Sequence, residues 1–260
     1  MIELGISTAS LYPLETEKAL ELVGKSGVKN TEIFFNAACE LEKSFVTELK
    51  NIAQYYDVNV VSIHPTMSLA ESFMLFSAYE RRTKEGMEQY KRYGEIAATL
   101  GAKFVIMHGG KDNGVLDDIG YCNRFLEISN VVKESGVVLL QENAAKFRAG
   151  KKAFLESMVK ILGDDAAFCL DIKQCIRSGY DPADILDIIG KNVRHLHISD
   201  STEEKDCLLP GKGNFNFLEF FKKCDEIGYK GYAVTEVYRN AYCEYDEVFS
   251  NQAEFLLKMT

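Results

Sequence analysis

The sequence has little of what marks membrane, secreted or nucleic-acid-binding proteins. No apolar run reaches the length of about 18 residues that a membrane span requires. The first ten residues, MIELGISTAS, contain no basic stretch followed by an apolar segment, so we expect no signal peptide. The seven cysteines are scattered singly without a CxxC pair, which is typical of the reducing cytoplasm. The net charge of −9 argues against a broad surface for binding nucleic acid, because such a surface needs clustered lysine and arginine.

What is present is a chain of 260 residues, 47% of them hydrophobic, which is enough to bury a large core. We therefore expect a cytoplasmic protein that acts on a small molecule, with neither nucleic acid nor membrane as a partner. The oligomeric state is open, with a homo-oligomer among the alternatives.

Short apolar runs alternate with longer amphipathic segments along the whole chain. The runs predict strands at 2–7, 30–35, 58–64, 103–109, 137–143, 167–172, 193–199 and 232–237. Several of the helical segments end in glycine, the usual residue after a last helical turn: Gly27, Gly101, Gly136 and Gly228. Eight strand–helix units without a linker predict an α/β fold, a (β/α)8 TIM barrel forming a single domain over 1–260. The alternative is an open doubly wound sheet, but GISTAS stands where its GxGxxG would follow the first strand.

Histidines and carboxylates occupy the downstream ends of the predicted strands. In chain order they are His64, His108, Glu142, Asp171, His197 and Glu236. A TIM barrel places its active site at the carboxyl ends of its strands, so these side chains are predicted to converge. A buried carboxylate without a partner costs on the order of several kcal/mol, and a cation removes that cost.

Two glutamates, one aspartate and one histidine form a ligand set suited to one divalent ion, Mn²⁺, Mg²⁺ or Zn²⁺. The predicted ligands are Glu142, Asp171, His197 and Glu236. Each residue alone has an ordinary explanation, because a lone histidine is more often a core residue and a lone carboxylate often caps a helix. Six such residues at the ends of successive predicted strands favour a shared functional site. His195 shares the face of His197 one layer deeper, so we expect it to support the site or the core.

The motifs QEN, LDI, HLHISD followed by LLPGKGNFNF, and VTEV resemble the xylose-isomerase-like TIM-barrel superfamily. That superfamily contains ketose 3-epimerases, hydroxypyruvate isomerases, sugar-phosphate isomerases, inosose dehydratases and endonuclease IV. The resemblance follows the order of the whole chain and is strongest from 137 to 238. It implies that the four predicted ligands bind a single divalent metal, and that Glu142 and Glu236 also serve as catalytic acid and base.

Departures from the superfamily bear on the substrate. Endonuclease IV needs a histidine three residues after the aspartate of strand 6 and an Asp-x-His before the glycine-rich turn. These places hold Gln174, Lys205 and Cys207, so a three-zinc cluster cannot be completed. The ketose 3-epimerases usually carry that same histidine, and often an arginine where Leu208 and Leu209 stand. We therefore expect substrate recognition to differ from theirs.

The predicted function is a metal-dependent isomerase or epimerase of a sugar, sugar phosphate or related polyol, acting through an enediolate. The residues predicted to bind the carbohydrate substrate are His64, His108, Gln174, Arg177 and Lys212. Loop cations such as Lys146, Arg148 and Lys173 could meet an anionic group, although exposed basic residues are more often simply solvated. The alternatives are a metal-dependent dehydratase of a keto-polyol, a ligand-binding barrel without catalysis and, ranked last, an abasic-site endonuclease.

Overall fold

The eight predicted strands form a closed parallel barrel in a computed structural model, which describes residues 2–65 and 68–259. The strands are β1 (Glu3–Ser7), β2 (Asn30–Phe35), β3 (Asn59–Pro65), β4 (Phe104–Met107), β5 (Val138–Glu142), β6 (Phe168–Asp171), β7 (Val193–Ile198) and β8 (Tyr232–Thr235). Each strand pairs with the next in sequence, and β8 returns to pair with β1. The predicted TIM barrel is confirmed. The ends of the expected domain, residues 1 and 260, lie outside the described residues.

Helices cover the outside of the barrel between successive strands. They are α1 (Thr16–Lys25), α2 (Lys43–Tyr55), α3 (Ser68–Met74), α4 (Glu80–Leu100), α5 (Asp118–Lys133), α6 (Lys152–Leu162), α7 (Ile172–Arg177), α8 (Pro182–Ile189), α9 (Phe217–Glu226) and α10 (Asp246–Met259). A large apolar core joins the outward face of the strands to these helices. Across the described residues, no helix is both long and apolar enough to cross a membrane.

Glycines set several of the element boundaries. The four glycines predicted to end helices all adopt positive φ angles, as a left-handed residue after a helix requires. Gly109 has a φ of 86°, and a Cβ built there would lie 2.0 Å from the hydroxyl oxygen of Tyr121. A strand cannot continue through such a residue, so β4 ends at Met107 and not at the predicted residue 109. His108 therefore lies just beyond the strand and not within it.

The strand register stacks the inward-facing side chains in layers. Asp171 pairs with His197, and two residues earlier Cys169 pairs with His195. Because strand residues two apart point to the same side, each side chain at the mouth of the barrel has a deeper neighbour. Some of these deeper residues form a separate apolar cluster, made of Ile106, Leu140, Ala167 and Cys169 with Phe104 packed against them. On the side formed by β4 to β6, the barrel thus places polar groups over an apolar floor.

Candidate metal centre

Four side chains from consecutive strands meet at the carboxyl-terminal mouth of the barrel. They are Glu142, Asp171, His197 and Glu236, and their ligand atoms all lie within 4.8 Å of one another. Glu142 and Asp171 are the last residues of β5 and β6, and Glu236 follows β8 directly. The structure therefore brings the predicted ligand set together, and metal binding itself stays a prediction.

His197 presents one ring nitrogen to the three carboxylates. Its Nδ1 lies 3.7 Å from an oxygen of Glu142, 3.9 Å from Asp171 and 3.7 Å from Glu236. This buried atom has no hydrogen-bond partner, and neither has Oδ2 of Asp171. Atoms that share one ion at about 2.0–2.2 Å lie about 3–4 Å from each other. The spacing, the unpaired nitrogen and the three negative charges therefore fit a divalent cation.

The carboxyl groups in this set titrate differently because their neighbours differ. Burial, reinforced by Glu142 and Glu236, raises the pKa of Asp171 to about 7. Burial also acts to raise the pKa of Glu142, but His108 outweighs burial and holds this pKa well below its usual value. For Glu236, Lys173 likewise outweighs burial and lowers the pKa. A cation shared by the set would remove the repulsion that Asp171 experiences.

Lys173 is the nearest cation to the ligand set. Its ammonium lies 2.6 Å from Oε2 of Glu236 and 3.3 Å from Oδ2 of Asp171, and its side chain is 3% exposed. Burial opposes its charge, but Asp171 and Glu236 raise the pKa of Lys173 well above its usual value. The sequence suggested Lys173 only as a loop cation for an anionic group. The only signal for this position was a lysine directly after the buried LDI segment.

Glu32 is a site residue that the sequence analysis missed. It is fully buried on β2, and its Oε2 lies 3.0 Å from Nε2 of His197. The carboxylate also accepts hydrogen bonds from Ser7 and Ser62, and Nε2 of His195 lies 3.5 Å away. The expectation that His195 lies deeper than His197 is met, since it is fully buried. A single charge inside the apolar strand NTEIFF was the available signal.

His64 and His108 lie on the other side of Glu142. Nε2 of His108 is 2.8 Å from Oε2 of Glu142, and Nε2 of His64 is 3.7 Å from the same oxygen. These three residues form another group whose geometry could hold an ion. Burial opposes the charge on His108, but Glu142 raises its pKa to about 9. Both histidines line the pocket above the centre, as their predicted contact with substrate requires.

A cavity of about 660 Å³ opens over the ligand set. Its walls include polar and aromatic side chains: Tyr12, Phe34, Asn36, His64, His108, Glu142, Lys173, Gln174, Glu236, Tyr238, Arg239 and Asn240. Of the predicted substrate-binding residues, Gln174 lies in this wall together with His64 and His108. Its side-chain oxygen accepts a hydrogen bond from the backbone of Ala145.

Arg177 and Lys212 are not brought into this wall. Arg177 contacts Asp206 at 2.5 Å and donates to the Tyr238 hydroxyl, while Lys212 lies 3.4 Å from Glu254. The PGKG turn also differs from a phosphate-binding loop, because Asp200 already accepts hydrogen bonds from its backbone amides. A role for Arg177 and Lys212 in substrate binding stays a prediction, without support from their position.

The additional ligands of a three-zinc centre are not assembled among the described residues. No group of potential ligands there includes Cys207, whose thiol is buried with its pKa raised by that burial to about 11. Its sulfur lies 3.9 Å from the carbonyl oxygen of Glu236, and Gln174 faces the pocket. Cys207 is therefore a buried thiol outside these groups of potential ligands.

Comparison with known proteins gives matches over nearly the whole chain. A family model described as a xylose isomerase-like TIM barrel matches residues 20–259. An uncharacterised protein of Methanocaldococcus jannaschii is 26% identical over 246 residues, covering 88% of this chain and 82% of its own. A fructoselysine 3-epimerase of Escherichia coli O157:H7 is 21% identical over 268 residues, covering 97% and 96%.

Two further matches are a relative of lower sequence identity and a protein of known structure. An inosose dehydratase of Clostridium perfringens is 20% identical over 248 residues, covering 82% of this chain and 78% of its own. A crystal structure described as a D-tagatose 3-epimerase-like protein has a TM-score of 0.78 at 22% identity, covering 99% of this chain and 98% of that one. At this identity, the structural likeness establishes the fold.

Proposed function

The chain belongs to the xylose isomerase-like TIM-barrel family, and on that premise we propose that it is a metal-dependent isomerase or epimerase of a sugar or related polyol. The family's members include sugar epimerases and isomerases. The observation that carries the proposal is the unpaired Nδ1 of His197 facing three carboxylates at the base of an open pocket.

The positions of Glu142 and Glu236 support a proposal of acid–base catalysis. Glu142 and Glu236 both line the pocket, Glu236 as the more exposed of the two. A divalent ion held by the set would supply positive charge that stabilises an enediolate. One glutamate takes the proton beside the carbonyl, and the other returns a proton to the opposite face or to the neighbouring carbon.

The two glutamates have different partners within the protein. Nε2 of His108 contacts Glu142 at 2.8 Å and keeps that carboxylate ionised, the form that accepts a proton. Lys173 holds Glu236 at 2.6 Å and orients that carboxylate toward the pocket. This difference in partners supports distinct roles, with one glutamate as the base for a given substrate and the other as the acid.

The walls of the pocket suit a polyhydroxylated molecule. A volume of about 660 Å³ is within the usual range for small-molecule sites, and its base is polar. Aromatic rings of Tyr12, Phe34 and Tyr238 provide an apolar side. Histidine and amide groups from His64 and Gln174 can hydrogen-bond to substrate hydroxyls.

The test is turnover of a panel of ketoses, aldoses and keto-polyols by metal-loaded protein in D₂O. We expect deuterium to be incorporated at the carbon beside the carbonyl, because the proton is exchanged at a glutamate. Glu142→Gln and Glu236→Gln each replace a carboxylate by an amide of similar size that cannot carry the proton. Each should lower kcat by at least about 10²-fold. Normal turnover of a confirmed substrate by both variants would refute the mechanism.

Dehydration is a second candidate, favoured by the match to an inosose dehydratase over 82% of this chain. The same proton abstraction followed by loss of a β-hydroxyl would give a product about 18 mass units lighter. Mass spectrometry of the reaction panel separates the two, since an isomer or epimer keeps the mass of its substrate.

A further inference from the structure

We propose that Lys173 is a built-in counter-cation of the ligand set, which lowers the set's affinity for a divalent ion and holds its carboxylates together before the ion binds. The inference rests on the proposed metal site. It begins from one contact: an ammonium with 3% exposure lies 2.6 Å from Glu236 and 3.3 Å from Asp171, two of the four ligands.

Lys173 contributes to the charge balance of the ligand set on the side of Asp171 and Glu236. Three carboxylates carry three negative charges, and a divalent ion bound to a neutral imidazole offsets two of them. The remaining negative charge would lie in a buried environment, where it has a high energetic cost. His108 offsets negative charge at Glu142, and Lys173 offsets it at Asp171 and Glu236.

The position of Lys173 follows from the chain's local geometry. Asp171 ends β6 and its side chain caps α7 by accepting a hydrogen bond from the backbone of Gln174. Helix α7 begins at once, so Lys173 lies in its first turn. Its long side chain reaches Glu236 at the end of β8, two strands away from β6. The tight junction between strand and helix keeps the lysine within reach of the set.

Two consequences follow for the metal-free and metal-bound states. In the absence of metal, the ammonium stabilises carboxylates that would otherwise repel each other. In its presence, the ammonium and the ion lie close together with like charge, so the lysine reduces affinity. A neutral side chain of similar length at position 173 should therefore destabilise the metal-free protein and strengthen metal binding. A residue with a purely structural role would not produce this opposite pair of effects.

The experiment compares Lys173→Met with the wild-type chain, using Mn²⁺ as the probe. Binding to metal-free protein is followed by the loss of the free-ion signal in electron paramagnetic resonance, and Tm is measured with and without Mn²⁺. We expect Lys173→Met to bind Mn²⁺ at least about tenfold more tightly. Its metal-free Tm should fall by several degrees, on the order of 4 °C or more.

Two controls isolate the charge. Lys173→Arg keeps the charge and should bind Mn²⁺ within about threefold of wild type; it also serves as the comparison if Lys173→Met is unstable without metal. Lys223→Met removes a lysine that contacts Asp187 at the same 2.6 Å distance on the surface. It should leave Mn²⁺ affinity unchanged.

The outcomes separate this inference from the proposed function. Wild-type binding with equal or weaker binding by Lys173→Met would overturn the counter-cation and leave the metal site intact. Binding by Lys173→Met alone would support the counter-cation, because the lysine would then be what suppresses affinity. Absence of binding by either chain would refute the metal site and the counter-cation together.

Discussion

Replacing Glu32 by glutamine is expected to weaken metal binding, although Glu32 is not itself one of the predicted ligands. Its Oε2 lies 3.0 Å from Nε2 of His197 and accepts a 2.7 Å hydrogen bond from Ser62. A carboxylate can only accept, so it keeps the proton of His197 on Nε2 and leaves Nδ1 free to coordinate an ion. An amide can donate as well, which permits the other tautomer and places a proton on Nδ1.

The size of the effect follows from the geometry. Groups that orient a ligand histidine typically contribute 10- to 100-fold in metal affinity, or roughly 1.4–3 kcal/mol. Glu32 is fully buried and pairs with His197 at 3.0 Å, so we expect the upper part of this range for Glu32→Ala. Glu32→Gln should lie lower in the range because its amide oxygen can still accept. Ser62→Ala removes one hydrogen bond to the carboxylate and should have the smallest effect.

Two measurements check this reasoning. Titration with Zn²⁺ followed by calorimetry gives the affinities, and ¹⁵N chemical shifts of the imidazoles report which nitrogen of His197 carries the proton. At a pH where the metal-free imidazole of His197 is neutral, we expect its proton on Nε2 in the wild type and a shift toward Nδ1 in Glu32→Gln. Unchanged affinity together with a changed tautomer would refute the link between tautomer and binding. Unchanged values of both would show that Glu32 does not orient His197.

The other predictions concern metal content and pH. Elemental analysis should find close to one divalent ion per chain, lost in His197→Ala and retained in Cys207→Ser; a value near two would show that His64 and His108 also act as ligands. The pKa of His108 is raised to about 9, so its stabilisation is complete below about pH 6.5 and lost as pH rises toward 9. The metal-free wild type should lose up to roughly 3 kcal/mol over this interval, as followed by urea unfolding, while His108→Gln should lose less, keeping only the part due to other groups with raised pKa such as Asp171.

The fold and the four predicted ligands could be found from the sequence because both follow a local rule. Apolar strands followed by polar residues recur along the chain, and a closed parallel barrel brings the ends of its strands to one mouth. The end of β4 was misplaced because FVIMHG continues the apolar pattern. What ends the strand is the positive φ of Gly109 beside Tyr121, a contact between distant parts of the chain.

Residues that depend on contacts between distant segments were harder to place. Glu32 lies in the middle of β2, so a search of strand ends passed over it, and its partner His197 is 165 residues away. Lys173 follows Asp171 closely in sequence, but the sequence does not indicate that its ammonium contacts Glu236. Lys212 has its partner Glu254 on α10, a contact that the sequence does not indicate, and its role in substrate binding stays a prediction.

The hydrogen bond between Glu32 and His197 joins the first quarter of the chain to the last. The four predicted ligands all come from β5 to β8, yet the carboxylate that fixes their only histidine comes from β2. The two halves of the barrel meet where β8 pairs with β1. A fragment beginning after α5 would therefore contain every predicted ligand and still lack the group that orients one of them. Tight metal binding by the separated halves should reappear only when they are mixed, which makes metal affinity a direct reporter of barrel closure during folding.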